Sequence, residues 1–491
     1  MALPLPFLVG SPLIINGDTG HKITYRQILQ DTVNVAAGLQ RMGVKRGDVV
    51  ALCSENRDEF IAVALGVYLG PVIKNIQHRY LFHLADEMAH VLNISQPKII
   101  FASEIGLQKN LSVIKTASSI QNIIQLNGKP VGGGVVEFKS TLAPTNPLEY
   151  EPEEVQGWTD VVYILYSSGT TGLPKGVMLS HLNALYSATN FHKLMQYFIN
   201  LYTFRQDTKE ENSILLTIVP WYHAYGLIST INYILVKKLM VYLAGFNPMK
   251  YLGSIQEYKV LVFLAKSPVV EKFDLSSITS VWCGAAPLKR NFYRMPNCKG
   301  IFQAYGMTET SLSATKDIDD ESVTRKVVDV DTRKKLGPNQ NGEICLKGPV
   351  IMKGYVGNDA ASRDIIDEEG YLKTGDIGYY DQDGCFFIVD RLKELIKYKG
   401  SQVAPAAVES VVLQHGGVAE CGVVGAPDEA AGELATAFVI TNKLDILINA
   451  MHTVFFANYK ICLLLLSDFE KFLNELKKFE LRGLHGRFSL K

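Results

Sequence analysis

The sequence lacks paired cysteines, an excess of charge of one sign, and any repeated or low-complexity segment. Seven cysteines are scattered over 491 residues without a CxxC pair. This argues against a zinc site or a disulfide framework and is typical of reduced thiols in an intracellular protein. Lysine plus arginine equals aspartate plus glutamate at 49 each, so no overall field attracts nucleic acid or an anionic membrane. Local groups must therefore hold any polyanionic ligand.

A long unbroken apolar run is also lacking. The strongest candidate, Leu444 to Leu466, is interrupted by Asp445, His452 and Lys460, and only Ile461 to Leu466 is continuous. Charged side chains are costly at bilayer depth, so we expect a buried element of a small domain, with a membrane span as the weaker alternative. The beginning of the chain has no basic stretch or cleavage motif, so no signal peptide is expected.

Short β-rich runs alternate with helical stretches through the first three hundred residues. Strands are predicted at Val49–Leu52, Lys98–Phe101 and Val161–Tyr166, and a helix runs through Val35–Leu39. The strands are apolar on both faces, which is typical of strands covered by helices on both sides. At this length more than one domain is expected. The sequence predicts an α/β protein with open, largely parallel sheets.

After about Arg325 the pattern changes to shorter strands separated by turns, which predicts a compact β subdomain. A boundary is predicted near Asp390, where an apolar strand gives way to the charged run that begins at Arg391. The predicted elements of this part are strands at Val327–Val330 and Gly342–Leu346, a turn at Asp381–Gly384 and a helix at Pro405–Leu413.

A loop rich in Gly, Ser and Thr follows the predicted strand that ends at Tyr166. It runs from Ser167 to Gly176 and contains Lys175. Small residues let backbone N–H groups approach phosphate oxygens, hydroxyl groups add donors, and the lysine adds a positive charge. The P-loop motif fails, because Lys175 follows Pro174 and precedes Gly176. The loop predicts a phosphate-binding site of another kind.

This loop resembles that of the adenylate-forming superfamily, which contains acyl-CoA synthetases, 4-coumarate–CoA ligases and beetle luciferases. Further resemblances follow in the family's order. They are Gly284–Pro287 (adenine-side loop), Gln303–Glu309 (central motif, with Ala304 where Gly is usual), Tyr371–Asp376 (ribose motif) and Asp390–Gly400 (hinge motif). Pro220–Gly226 resembles the family's acyl-pocket segment. The resemblance extends through Thr441 and fades in the segment that follows.

The resemblance implies roles for particular residues. Catalytic roles fall to His223, Thr308, Glu309 and Lys397, with Glu309 also binding Mg²⁺. ATP and CoA binding fall to Ser167, Ser168, Gly169, Thr170, Thr171, Gly172, Lys175, Ala285, Gln303, Tyr305, Gly306, Asp376, Arg391, Lys393, Lys399, Gly400 and Gln402. Tyr225, Ser229 and Leu312 would line the acid pocket, and Asp390 would be the hinge. From its residues alone, an isolated histidine in an apolar stretch such as His223 is more often a core residue, and the resemblance makes a role beside the acid an equal alternative.

The resemblance also implies a fold and an activity. The expected architecture is a large N-terminal domain of two doubly wound sheets plus a β subdomain (1–389), followed by a small mobile α+β domain (390–491) that is atypical and truncated after about 442. The expected reaction joins ATP and a small carboxylic acid into an acyl-adenylate and then transfers the acyl group to CoA, with Mg²⁺ as cofactor. No nucleic-acid partner is expected.

The sequence departs from the family in four places. A strand and a pocket wall are missing after Val260, a Gly-Lys-rich connection is missing between Thr324 and Lys326, and Val67–Leu84 follows the family weakly. No proline occurs after Pro427, so the family's Pro-Lys…Gly-Lys segment, which carries the adenylation lysine, is absent. Loss of one such electrostatic group could cost about 10²–10³ in rate. These gaps favour skipped or misread exons over gradual drift.

Two alternative functions remain open from the sequence. One is a luciferase-like monooxygenase, although Leu312 stands where luciferases have a small polar residue. The other is a pseudoenzyme that binds nucleotide without turnover, which the missing lysine segment supports. A cytoplasmic location is expected, with the peroxisome second, because Ser489–Lys491 has the residue types of a peroxisomal address in the wrong order. The acid and the oligomeric state are not determined by the sequence.

Overall fold

The computed structural model divides the chain into two compact units. The first contains residues 1–324 and 346–372, and the second contains 325–345 and 373–491. The residues that the structure describes are 12–69, 73–76, 85–167, 173–190, 214–245, 247, 250–251, 254, 274, 280–284, 300–312, 323–398, 401–403, 405–412, 418–428, 432–441, 454–456 and 459–466.

The first unit alternates strands and helices. Its strands up to residue 304 are β1 (Pro12–Asn16), β2 (Lys22–Thr24), β3 (Val49–Cys53), β4 (Ile73–Ile76), β5 (Ile99–Ala102), β6 (Asn122–Gln125), β7 (Val135–Glu137), β8 (Val161–Ser167), β9 (Lys175–Ser180), β10 (Leu215–Thr217), β11 (Met240–Tyr242), β12 (Ser280–Gly284) and β13 (Gly300–Ala304). Its helices up to that point are α1 (Tyr25–Arg41), α2 (Asp58–Leu69), α3 (Ala85–Ser95), α4 (Glu104–Thr116), α5 (Phe138–Thr141) and α6 (Ala224–Leu235), with a further helical segment at 181–190.

The remaining elements belong mostly to the second unit. The strands are β14 (Thr324–Val328), β15 (Gly342–Lys347), β16 (Gly354–Tyr355), β17 (Leu372–Tyr380), β18 (Phe386–Arg391), β19 (Ile396–Tyr398), β20 (Ser401–Val403), β21 (Val418–Asp428), β22 (Gly432–Thr441), β23 (Val454–Phe456) and β24 (Tyr459–Leu466). The helices are α7 (Asp359–Ile365) and α8 (Pro405–Val412). Of these, β16 and α7 lie in the first unit.

An eight-stranded sheet forms the centre of the first unit. Its strand order is β16-β9-β8-β4-β3-β5-β6-β7. The six strands from β8 to β7 in this order pair in parallel, whereas β9 is antiparallel to both β8 and β16. Parallel pairing of strands separated by helices is the architecture predicted from the alternating pattern. The α/β fold is confirmed.

Strand β3 shows why the sheet is covered on both faces. Val50 and Leu52 pack in one buried cluster, while Ala51 and Cys53 pack in another. Because successive side chains of a strand point to opposite faces, an uninterrupted apolar run supplies two cores at once. The strands predicted at Val49–Leu52, Lys98–Phe101 and Val161–Tyr166 are present as β3, β5 and β8.

Two smaller sheets complete the described part of the first unit. One has four strands in the order β10-β11-β1-β2, and the other is the parallel pair β12-β13. Asn56, at the loop between β3 and α2, connects the four-stranded sheet to the centre. Its amide donates to the carbonyls of Val219 and Leu243, and its oxygen accepts from the Trp221 amide at 2.7 Å. The strand predicted to be missing after Val260 falls outside the described residues.

The second unit contains two sheets. One has the order β14-β15-β17-β18, and in the other β22 pairs with β19, β21 and β24. The helix predicted at Pro405–Leu413 is α8, and the predicted turn after Asp381 closes with a hydrogen bond from the Gly384 amide to the Asp381 carbonyl. The sequence predicts shorter strands here, and β14 and β15 have five and six residues. The prediction is wrong for β17, β21 and β22, which have nine, eleven and ten residues and are longer than any strand described in the first unit.

The apolar segment Leu444–Leu466 ends in a strand. Residues Tyr459–Leu466 form β24, which pairs in parallel with β22 and antiparallel with β23. Across the part of the chain that the structure describes, no helix has the length and apolar character needed to cross a bilayer. The C-terminal part of the segment is therefore a sheet element of the second unit.

The two compact units do not share the boundary predicted from the sequence. Residues 325–345, which open the predicted β subdomain, group with 373–491. The prediction instead assigned the whole β subdomain to an N-terminal domain that ends at residue 389. The compact units are defined by packing, whereas the hinge at Asp390 concerns motion, so the boundary at Asp390 stays a prediction.

Candidate active site

The predicted phosphate loop joins two adjacent strands. Ser167 is the last residue of β8 and Lys175 is the first residue of β9, and the two face each other in the antiparallel register. The loop is therefore the connection of a β-hairpin, with a hydroxyl and an ammonium group side by side at its base. The predicted ligands Ser168, Gly169, Thr170, Thr171 and Gly172 lie outside the described residues.

Glu309 lies beside the base of this hairpin. It belongs to a short 3₁₀ helix, Thr308–Thr310, and only 4% of its surface is exposed. Its Oε1 accepts a hydrogen bond from Ser167 Oγ at 2.9 Å and a second from Tyr355 Oη at 2.9 Å. A buried carboxylate normally requires such donors, because desolvation is costly without them. Of the predicted nucleotide and metal residues, the structure places Ser167, Lys175 and Glu309 in one region.

Tyr355 is a member of this site that the sequence analysis missed. It lies on β16, next to β9, and the Lys175 ammonium is 5.0 Å from the centre of its ring. Burial raises the pKa of the Tyr355 hydroxyl, and the neighbouring Glu309 raises it further, so the hydroxyl stays protonated and donates to the carboxylate. Tyr355 therefore contacts both the cation and the anion of the site. A Gly-Tyr pair has no local feature that would have revealed this.

The backbone after Glu309 is strained. Ser311 and Leu312 have φ values of 57° and 146°, although neither is glycine. The Ser311 hydroxyl donates to the Val350 carbonyl at 2.7 Å, and the Met352 amide donates to the Glu309 carbonyl at 2.9 Å. Left-handed backbone at non-glycine residues is costly and often occurs at functional sites, so these bonds hold Glu309 in a position that the chain does not favour locally.

The predicted adenine-side residues follow the parallel pair β12-β13. Cys283 pairs with Gln303 and Gly284 with Ala304, so the first residue of the adenine-side motif lies beside the start of the central motif. Tyr305 and Gly306 are partly exposed just beyond β13, as is Thr308 in the 3₁₀ helix. Ala285 lies outside the described residues.

The predicted acid-side residues begin helix α6. His223 is exposed at its N-cap position, with its ring centroid 4.6 Å from that of Tyr222. Tyr225 is half-buried one turn before Ser229, whose hydroxyl donates to the Tyr225 carbonyl at 2.6 Å. Leu312 is half-buried against the same large core that contains this helix. Ser229 thus uses its donor within the helix.

Gly226 lets the first turn of α6 pack closely against the backbone of Pro220. A Cβ atom there would lie 2.1 Å from the Pro220 carbonyl oxygen. Gly226→Ala is expected to lower the free energy of unfolding by about 1–3 kcal/mol, because this backbone contact outweighs the helix preference of alanine. Gly245→Ala, which would meet no atom within 4 Å, is the matched control. Urea unfolding tests both, and equal midpoints would show that the contact at Gly226 is unimportant.

The predicted ribose and hinge residues form a group within the second unit. Asp376 on β17 lies opposite Arg391 on β18, and their side chains form an ion pair at 3.7 Å. Asp390 Oδ1 accepts from the Arg391 amide, and Lys393 is exposed just beyond. The register therefore places the end of the ribose motif beside the start of the hinge motif on adjacent strands.

Of the predicted CoA-side residues, Lys397 lies on β19, which pairs with β20. Lys397 is exposed, its amide donates to Glu433 Oε2 at 2.6 Å, and it faces Gln402 in the register. Lys399 and Gly400 lie outside the described residues, and the side chain of Gln402 is likewise not described.

Comparison with known proteins decides the family. Residues 7–356 match the family model for AMP-binding enzymes, and residues 407–456 match that for the C-terminal domain of AMP-binding enzymes. The chain belongs to the AMP-binding enzyme family. This is the adenylate-forming superfamily that the motifs predicted, and the protein is accordingly an AMP-forming enzyme of the ligase superfamily.

The relatives of this AMP-binding enzyme include both ligases and luciferases. It is 38% identical to luciferin 4-monooxygenase of Luciola mingrelica over 471 residues, covering 89% of this chain and 83% of the relative. It is 36% identical to 4-coumarate–CoA ligase 1 of Petroselinum crispum over 462 residues, covering 87% and 81%. The structure of an anthranilate CoA ligase in complex with anthranoyl-AMP superposes with a TM-score of 0.82 at 20% identity, covering 97% and 96%, which shows a common fold.

Proposed function

We propose that this AMP-binding enzyme joins a carboxylic acid to ATP, releasing pyrophosphate, and then transfers the acyl group of the adenylate to CoA, releasing AMP. The observation that carries the proposal is the group around Glu309. Lys175 lies at the base of a glycine-rich hairpin, the buried Glu309 carboxylate lies beside that base, and both are in contact with Tyr355. Charges fixed in advance at such a position stabilise charge that develops during phosphoryl chemistry.

The residues at Glu309 fit a magnesium ion that arrives with the nucleotide. Mg²⁺ prefers oxygen ligands and is commonly held by one or two carboxylates together with phosphate oxygens. Within the described ranges, no group of three or more His, Cys, Asp or Glu side chains could form a separate metal cage. Glu309 would contribute its carboxylate, and the ion would supply neutralisation of phosphate charge.

Each side chain has a distinct part in the first reaction. Lys175 attracts phosphate oxygens to the hairpin, and Tyr355 keeps Glu309 oriented through its hydroxyl. Thr308, next to Glu309, would contact the α-phosphate, and Tyr305 would stack on adenine. Most of the rate acceleration would come from orientation, because the acid oxygen must be held in line with the α-phosphorus.

His223 and Tyr225 would border the acid at the start of α6. Leu312 supplies an apolar side chain on the strained segment after Glu309. An apolar contact at this place favours an acid with an aromatic or aliphatic body. The second candidate function is a luciferase-like monooxygenase, which the luciferase relatives support. Leu312 favours a ligase over this candidate, because luciferases have a small polar residue at that position.

One set of assays tests the proposed function. ATP–pyrophosphate exchange is measured with a panel of aromatic and aliphatic acids, followed by acyl-CoA formation and by light emission with luciferin. Exchange and CoA consumption without light are expected. Light that does not depend on CoA would favour the monooxygenase. Binding of ATP without exchange for any acid would favour a nucleotide-binding pseudoenzyme.

Lys397 should affect only the second reaction. We expect Lys397→Ala to leave pyrophosphate exchange within twofold of the unmodified protein and to lower acyl-CoA formation by roughly tenfold, the scale of one charged contact. The side chain is exposed on β19, so folding should not suffer. Lys334→Ala, an exposed lysine of the same unit, is the control. An equal fall in both reactions would contradict the separation of roles.

A further inference from the structure

The turn that carries Asp376 is held on both sides. Gly375 has a φ of 72°, which favours glycine, and its amide donates to Glu343 Oε1 at 2.9 Å. Its carbonyl accepts from the Leu392 amide at 2.8 Å. On the other flank, the Thr374 hydroxyl accepts from the Asp376 amide at 3.1 Å. The Gly375 amide, the Gly375 carbonyl and the Asp376 amide are therefore all held by hydrogen bonds.

Glu343 is a buried carboxylate with no part in the function proposed above. Its side chain is 5% exposed at the start of β15, and Oε2 pairs with the guanidinium of Arg333. An ionised acceptor makes a hydrogen bond about twice as strong as a neutral one, so the bond to the Gly375 amide is a firm restraint. The two carboxylate oxygens are therefore divided between a cation and the turn that carries Asp376.

Arg333 reaches Glu343 from a costly backbone conformation. Its φ is 60°, in the left-handed region, and the preceding turn is closed by Asp329, whose Oδ1 accepts from the Thr332 amide at 2.7 Å. Its guanidinium also contacts Cys345 Sγ at 3.7 Å. Strain of this kind persists where the surrounding structure requires a side chain in one place. Here the place is beside the carboxylate of Glu343.

We propose that Glu343 is a positioning residue for nucleotide binding. Through the Gly375 amide it fixes the turn from which Asp376 would meet the ribose hydroxyls, and Arg333 holds the Glu343 carboxylate in the orientation that this requires. The inference rests on the proposed function, because it assumes that Asp376 binds the ribose of ATP. It adds a buried residue, 32 positions before Gly375 in the chain, that determines how well the enzyme recognises the ribose.

The test measures preference for the ribose hydroxyls. Affinities for ATP and for 2′,3′-dideoxy-ATP are determined by calorimetry on the full chain, with pyrophosphate exchange as a second readout. The unmodified protein should prefer ATP, and Asp376→Ala should abolish the preference. Glu343→Ala should lower it by roughly tenfold, the scale of one hydrogen bond to a charged group. General destabilisation would weaken both nucleotides equally and would leave the preference unchanged.

Two further variants complete the design. Asp381→Asn removes a carboxylate that also accepts backbone amides in the same sheet, and it should keep the full preference. Glu343→Gln keeps an oxygen for the Gly375 amide without the charge, so the preference should fall less than in Glu343→Ala. If Glu343→Ala does not fold, Glu343→Gln decides.

The outcomes separate this inference from the proposed function. A full ribose preference in Glu343→Ala would overturn the role of Glu343. If the alanine variant does not fold, a full preference in Glu343→Gln would do the same. The proposed function would still stand if the protein catalyses exchange. An unmodified protein that neither binds ATP nor catalyses exchange would overturn both. A lowered preference with circular dichroism like that of the unmodified protein would establish the positioning role.

Discussion

Glu309→Gln is expected to lower acid-dependent pyrophosphate exchange by about 10²–10³-fold, the effect of removing one electrostatic group from a preorganised site. Glutamine has nearly the same shape, and its oxygen can still accept from Ser167 and Tyr355. The variant therefore removes the negative charge and leaves the packing of the 3₁₀ helix intact. Initial rates of exchange at saturating ATP and magnesium measure the loss.

Two comparisons show whether the loss belongs to the charge of Glu309. Tyr355→Phe removes one of its two donors and should cost about tenfold or less, the scale of one hydrogen bond. Glu368→Gln neutralises an exposed carboxylate of the same unit and should have no effect. Exchange within twofold of the unmodified protein in Glu309→Gln would show that the carboxylate has no part in the first reaction.

Trp221→Ala is expected to lower the free energy of unfolding by about 3–5 kcal/mol, the usual cost of deleting a large buried side chain. The indole is 0% exposed, and its ring lies 4.7 Å from that of Tyr242 and 5.9 Å from that of Phe60. A small cavity of about 10 Å³ already borders it. Truncation would enlarge a space that the neighbouring side chains have not filled, so little compensating collapse is expected.

Trp158→Ala is the matched control for this prediction. Trp158 is 55% exposed, so its removal should change stability by no more than about 0.5 kcal/mol. Urea unfolding of both variants is followed by far-ultraviolet circular dichroism, because this backbone signal does not depend on the tryptophan that each variant lacks. Similar midpoints for Trp158→Ala and Trp221→Ala would contradict the packing described around α6.

The central strands were predictable because their burial is local in sequence. Val49–Leu52 is apolar at every position, and only a strand covered on both faces uses such a run fully. The end of Leu444–Leu466 was predicted only as a buried element, and it forms β24. An apolar run with a few interruptions does not reveal by itself whether it will be a helix or a strand.

The candidate site was predictable where a motif carried it. Ser167, Lys175 and Glu309 lie in segments that resemble the family, and the structure brings these three together. Tyr355 was missed, because its contact with Glu309 joins residues 46 positions apart that no local pattern connects. Glu343 was missed for the same reason. A glutamate at the start of a short strand gives no sign that its carboxylate will be buried.

The grouping of residues 325–345 with 373–491 could not be predicted from the sequence either. The change of texture near Arg325 marks where short strands begin, but it does not show which strands they pair with. The pairing order β14-β15-β17-β18 joins β14 and β15 to strands that follow residue 371. Such packing depends on contacts between distant segments, whereas the hinge motif at Asp390 is a local feature.

The most direct measurement for this AMP-binding enzyme is acid-dependent ATP–pyrophosphate exchange on the full chain, with CoA added afterwards. The account predicts exchange with at least one aromatic or aliphatic acid, loss of exchange in Glu309→Gln, and formation of the acyl-CoA when CoA is supplied. Binding of ATP without exchange across the whole acid panel would contradict it.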